Sequence, residues 1–415
     1  MPDARIRRRS AGWFLLAVIY YLVAAAAFHG YFAKWTFRDD TPQFALPTML
    51  EGTSDRPFVY RRLLPAIANE VDRATPETLR ERAIDWLFAE GRAHGPIAWF
   101  YPKASDARNP KYALRYYMVF YMSFAALLLA MFAMRAVCLA LKSGPASSTL
   151  APMVIAAASP LVLTEGGYFY DFPELLFMAL AVWMAITGRP LWLLAVTVVA
   201  TFNKESFLFF TLTLYPFLRT SFSPPKALTL QACMLAFAGS VNMLIKLRYA
   251  DNTGGIVEYH LLDNLPFFAH AKSYLRFEYN YGVVTTKGFN VIVLAIAVLL
   301  LRAGWSVLPG AVRRHVWIAL VVNVPLFLLF GFQDELRNLS MLSIGVLMIV
   351  SVNISIWLNQ RGAVADVRQQ VGGAAPCSLS TMSAESGLDS PVARGQFPAR
   401  GAEGGGEEAF RSPGT

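Results

Sequence analysis

The chain has 415 residues, of which 55% are hydrophobic and only 16% charged, where an ordinary soluble domain carries roughly 45–50% apolar and about 25% charged residues. So large a deficit of charge excludes an ordinary water-soluble globule and points to lipid as the solvent. The net charge of +9 would suit nucleic acid, but the lysines and arginines gather at the ends of apolar blocks and in the first large loop, where membrane topology accounts for them; no nucleic-acid partner is expected.

Arg5, Arg7, Arg8 and Arg9 precede an apolar run over 12–33. A positive segment before such a run resembles the start of a secretory signal, but the run is too long for a typical signal core and continues past Ala24–Ala27, so an uncleaved anchor is expected. Further apolar blocks follow at 113–141, 149–164, 172–187, 190–202, 206–218, 227–247, 289–301, 315–332 and 339–358; the longer ones match the length that crosses about 30 Å of hydrocarbon, whereas short ones such as 190–202 are read either as spans extended by polar ends or as re-entrant segments. The expected fold is an all-α polytopic membrane protein of about ten transmembrane helices over residues 12–358, after a short cytoplasmic segment 1–11. Beyond 359 the chain turns Gly-, Ser- and Pro-rich, and a disordered cytoplasmic tail is expected over 359–415.

In a ten-span arrangement the basic amino terminus, Lys142, Arg189, Arg219 with Lys226, Arg302 with Arg313 and Arg314, and Arg361 all fall on one side, which the positive-inside rule makes cytoplasmic. Both termini are then cytoplasmic, and the long loops 34–112 and 248–288 lie outside. The first loop contains two amphipathic stretches expected to lie in the membrane interface. One presents Leu63, Leu64, Ile67, Ala68 and Val71; the other opens on Thr75-Pro76-Glu77, read as a helix cap followed by proline at the first helical position.

Cys138 and Cys233 fall in apolar blocks and Cys377 in the tail, while His29, His94, His260, His270 and His315 are scattered. Neither set has ligand spacing, so no metal and no other cofactor is assigned. Chemistry is instead concentrated in five charged clusters that the ten-span arrangement carries to the outer face: Arg38-Asp39-Asp40, the run from Arg56 through Arg61 and Arg62, Glu165 through Asp171 and Glu174, Asn203-Lys204-Glu205, and Asp334-Glu335-Leu336-Arg337-Asn338. Ionisable groups at the ends of spans are costly enough to be read functionally first. Asp39 or Asp40 is suited to take a proton from an attacking hydroxyl, and Arg56, Arg61, Arg62, Lys204 and Arg337 to neutralise a leaving phosphate, with Glu165, Asp171, Glu174, Glu205 and Glu335 in support. The bland alternative is that these charges mark the interface or pair across helix ends.

An aspartate-bearing first outer loop with in-plane helices, together with Arg-Pro-Phe-Val-Tyr-Arg-Arg at 56–62, Tyr170-Asp171-Phe172-Pro173-Glu174, Asn203-Lys204-Glu205 and Glu335-Leu336-Arg337-Asn338, resembles the GT-C superfamily of integral-membrane glycosyltransferases, in its uncharacterised bacterial branch. The resemblance covers roughly residues 12–358. It implies a lipid-linked sugar donor on polyprenyl phosphate, an acceptor at the outer face of the inner (plasma) membrane, and a loop aspartate as base, carried onto Asp39 or Asp40. The competing readings are a transporter or flippase, in which the charges would line a path across the bundle, and another lipid-linked envelope enzyme such as a polysaccharide polymerase or ligase.

Overall fold

A computed structural model describes residues 2–89, 95–280 and 282–372. Every apolar block of the sequence is helical. Helix α1 (Pro2–Trp35) leads into the first long loop, which holds α2 (Leu46–Glu51), α3 (Leu63–Ala74), α4 (Glu77–Phe88), α5 (Gly95–Phe100) and three single turns of 3-10 helix. The bundle continues with α6 (Pro110–Ala140), α7 (Pro145–Val162), α8 (Asp171–Ile186), α9 (Pro190–Asn203), α10 (Phe207–Thr213), α11 (Tyr215–Leu218) and α12 (Pro224–Arg248). After the second long loop, with α13 (Leu261–Ala269) and strands β1 (Phe277–Asn280) and β2 (Val283–Thr286), come α14 (Val291–Gly304), α15 (Gly310–Phe330) and α16 (Ser343–Gly372).

Among the described residues six helical segments are long and apolar enough to cross a bilayer: Ala11–Trp35, Pro110–Ala140, Pro145–Val162, Pro224–Arg248, Gly310–Phe330 and Leu336–Asn359. The chain is therefore a helical membrane protein. The other four apolar blocks form shorter helices: α8 has 16 residues, α9 and α14 have 14 each, and the block 206–218 is divided into α10 and α11.

Local sequence explains where the helices begin. Proline occupies the first helical position of α6, α7, α9 and α12, where its missing N–H costs nothing and its fixed φ suits the first turn. Asn109 completes the start of α6 by accepting the Lys111 amide at 3.0 Å. Thr75 behaves differently from expectation: α4 begins at Glu77 without a side-chain cap, and the Thr75 hydroxyl donates back to Val71 O at 2.7 Å, closing α3 instead.

The long α6 is the centre of the bundle and packs against α1, α3, α7 and α8, while α8 leads through α9 and α12 to α10 and α15. Tyr20, Ala24, Ala27 and Tyr31 form one buried seam of α1 at helical spacing, so the anchor is an integral part of the core. In α3 only part of the anticipated face is covered: Leu64 and Ala68 are buried, whereas Ile67 and Val71 remain exposed. Two features depart from the all-α expectation with its tail from 359. A two-stranded antiparallel hairpin pairs Phe277 with Thr286 and Asn280 with Val283, and α16 continues to Gly372. The rest of the anticipated tail, 373–415, lies outside the described residues.

Side-chain hydrogen bonds to backbone carbonyls gather the helix ends that carry the long loops. Trp35 Nε1 donates to Leu163 O at 2.8 Å, Ser123 to Phe169 O at 2.9 Å, Asn203 to Tyr170 O at 2.9 Å and Thr164 to Asp334 O at 2.8 Å. Such bonds satisfy groups that lipid cannot, and they fix one end of the bundle as a frame.

Candidate functional site

That frame surrounds a cavity of about 530 Å³. The connectors 163–170 and 204–206, the turn Phe58–Tyr60 and the 3-10 segment Leu336–Leu342 bring the clusters to it. Arg61 pairs with Glu205, Nη2 to Oε1 at 3.0 Å, and hydrogen-bonds the Tyr170 hydroxyl. Lys204 Nζ lies 2.7 Å from Glu174 Oε2 and 4.0 Å from Asp171 Oδ1. Arg337 lies 3.4 Å from Asp171 Oδ1 and pairs with Glu335. Ser206 and Ser340 donate to Glu174 Oε1 at 2.7 and 2.9 Å, filling the lone pairs that Lys204 leaves. Buried charges persist only when paired and hydrogen-bonded in this way.

Aromatic rings carry the cations. The Arg61 guanidinium lies 5.0 Å from the Phe58 ring and 4.6 Å from Tyr170, and Arg337 lies 4.4 Å from Tyr168, distances at which ring and cation attract. Arg38 sits 5.1 Å from Phe44 and 5.5 Å from Tyr168. Leu326, Phe327 and Phe330 of α15 add apolar lining.

The five clusters thus meet, but their residues divide into two kinds. Arg61, Lys204, Glu205, Glu335, Arg337 and Glu165 line the cavity, with Asp171 and Glu174 directly behind the cations. Arg56 and Arg62 are committed elsewhere: Arg56 donates to Ala250 O at 2.8 Å and Gly254 O at 2.6 Å, and Arg62 to Met49 O. Both fasten loops. Asp39 and Asp40 are not brought into the lining. Asp40 is exposed and meets Arg38 at 3.3 Å. Asp39 accepts the Phe37 amide at 3.2 Å, the Asp106 amide at 3.0 Å and the Tyr116 hydroxyl at 3.0 Å, so its oxygens hold the first loop onto α6.

Burial works against the charge of Glu205, but Arg61 outweighs it and holds the carboxyl below the usual range. Asp39 is pushed up by burial, against the donors around it. Its neighbour Asp106 is raised to about 7, by burial and by the charge of Asp39.

Sequence reasoning passed over several lining residues: Lys246 and Asn242 of α12, Asn323 of α15, and His260. The first two stand four apart within the apolar block 227–247, which places them on one helix face and was a usable signal. Lys246 has no carboxylate partner within 4.0 Å among the described residues; its ammonium lies 5.9 Å from the Tyr60 ring. Arg276 and Lys287 were also missed; they meet Glu165 at 3.2 and 2.6 Å and tie the hairpin to the frame. Among the described residues no group of three or more His, Cys, Asp or Glu could hold a metal ion. Searches against protein families, curated proteins and solved structures find no match to this chain.

Proposed function

We propose that the chain is a GT-C-like glycosyltransferase of about ten spans in a bacterial inner membrane, with the cavity facing outward and both termini cytoplasmic. In this reading it moves a sugar from a polyprenyl-phosphate donor to an acceptor at the outer face. The observation that carries it is the composition of the cavity: cations for phosphate, aromatic rings and carboxylates for a sugar, and an apolar side formed by α15 for a lipid chain. An amphiphilic, anionic, sugar-bearing donor matches all three.

Geometry favours Glu205 over the loop aspartates as the base, because its side chain borders the cavity and is held there by Arg61. A donor phosphate competes for Arg61 and releases Glu205 toward the acceptor. The acceptor hydroxyl then gives its proton to Glu205, its oxygen bonds to the sugar C1, and the C1–O bond to phosphate breaks with its electrons going to polyprenyl phosphate. Arg61 and Lys246 stabilise that developing charge. The transporter reading gains less support, since the ion pairs among the described residues all lie at the loop-bearing end and do not continue across the bundle.

The test follows radiolabel from a polyprenyl-phosphate sugar into envelope-extract acceptors, using purified protein in vesicles. Glu205→Gln keeps the shape and removes basicity, so turnover should fall by roughly 10²–10⁴. Lys246→Ala breaks no ion pair and should weaken donor binding by about 1.5–3 kcal/mol with turnover retained. Asp39→Asn and Asp40→Asn serve as comparisons: loss of turnover in one of them, with Glu205→Gln active, returns the base to the loop. Absence of transfer by the wild-type protein from any lipid-linked donor, with lipid translocation instead, rejects the enzyme reading.

A further inference from the structure

Helix α14 is weakly held. Gly304 alone of its residues is buried, and Ile296, Val298, Leu299 and Leu301 are exposed. It is tied where Asn353 Nδ2 donates to Leu300 O at 3.0 Å and, just past its end, where Trp305 meets Trp317 edge-on, with centroids 6.1 Å apart. Between α14, α15 and α16 this leaves a groove of about 620 Å³, walled by Ala297, Leu301, Leu320, Val346 and Ile349 among others, with Arg302 as the charged member of its lining. The linings of this groove and of the cavity described above share no residue, with Met341 in the cavity and its neighbour Leu342 in the groove.

The rim has one sign of charge. Arg302 is exposed and has no carboxylate partner among the described residues. The connector 302–314 adds Arg313 and Arg314 and contains no Asp or Glu. The connectors 141–145, 187–190 and 218–226 at the same end carry Lys142, Arg189, Arg219 and Lys226, again without an acid. Trp305 and Trp317 supply the indoles that favour the level of lipid headgroups. A second copy of the chain would bring the same cationic end to this rim and be repelled; an anionic lipid brings the opposite charge.

We propose that the groove binds one anionic glycerophospholipid, an acyl chain lying between α14 and α15–α16 and the phosphate against Arg302. This site is independent of the glycosyl-transfer reading, because it uses none of the cavity residues and needs only a bilayer around the helices.

Native mass spectrometry of the detergent-purified full chain, titrated with phosphatidylglycerol and phosphatidylcholine of identical acyl chains, tests it. The wild type should retain phosphatidylglycerol in preference by roughly fivefold for each arginine engaged. Arg302→Gln should erase that preference while phosphatidylcholine retention stays unchanged. Val346→Trp, which fills the groove, should lower retention of both lipids; if that variant does not fold, Ala297→Phe fills the same space from the loosely packed side. Equal retention of the two lipids by the wild type, a preference that survives Arg302→Gln, or undiminished retention in the filled variants would each overturn the proposal.

Discussion

Asp39 and Asp106 show how one side chain can hold a loop and also make it sensitive to pH. The Asp106 amide donates to Asp39 Oδ2, and the two carboxyls are close enough that the charge of Asp39 adds to burial in raising Asp106 to about 7. The folded state then binds the Asp106 proton more tightly than the unfolded chain, whose carboxyl titrates near 3.8. The stability contributed is fully present below that value and is lost as pH rises through about 7. Thermal midpoints of the purified protein should therefore decline over that window, and Asp106→Asn should flatten the decline. Asp39→Ala should be worse at any pH, because the buried Tyr116 hydroxyl and the Asp106 amide lose their acceptor; each stranded group costs about 1–3 kcal/mol.

The two long loops act as one element because residues far apart in sequence are clasped. Arg56 and Gly254 form a parallel bridge, Arg56 N donates to Thr253 O at 2.8 Å, and the Arg56 guanidinium reaches two carbonyls of the second loop. Arg56→Ala should loosen residues 250–258, of which Ile256, Val257 and Glu258 line the cavity, and limited proteolysis there should speed up while the helices keep their thermal midpoint. Gly288 in the second loop has φ +58, and an added Cβ there would overlap the Asp334 carboxylate. The helices themselves were legible in the sequence because apolar blocks and proline starts are local signals. Glu165, Lys204, Glu335 and Arg337 stand next to the ends of apolar blocks in the sequence, and these residues line one cavity. The division of labour among the arginines was not legible: whether Arg56 faces a phosphate or a carbonyl depends on a contact with residues nearly two hundred positions away. The hairpin escaped for a similar reason, since Phe277–Asn280 and Val283–Thr286 are too short to show a period.

At the scale of the whole molecule, sidedness is the first quantity to measure. On the ten-span reading Ser105 and Ser221 lie on opposite faces, so a cysteine at Ser105 should react with an impermeant maleimide from outside the cell and one at Ser221 only after the membrane is opened. Equal labelling of both would break the arrangement that unites the five clusters. The unequal helix lengths have a mechanical consequence. At 1.5 Å per residue the 14-residue α9 and α14 reach roughly 21 Å, short of the 30 Å or so of an average hydrocarbon layer, whereas α6 with 31 residues reaches roughly 46 Å. If α9 and α14 cross the bilayer, as the ten-span reading has them, the layer beside them must thin, and the elastic cost of that thinning rises with lipid chain length. On the glycosyl-transfer reading, transfer rates in vesicles should then be highest in short-chain phosphatidylcholine and fall as the chains lengthen at constant headgroup composition.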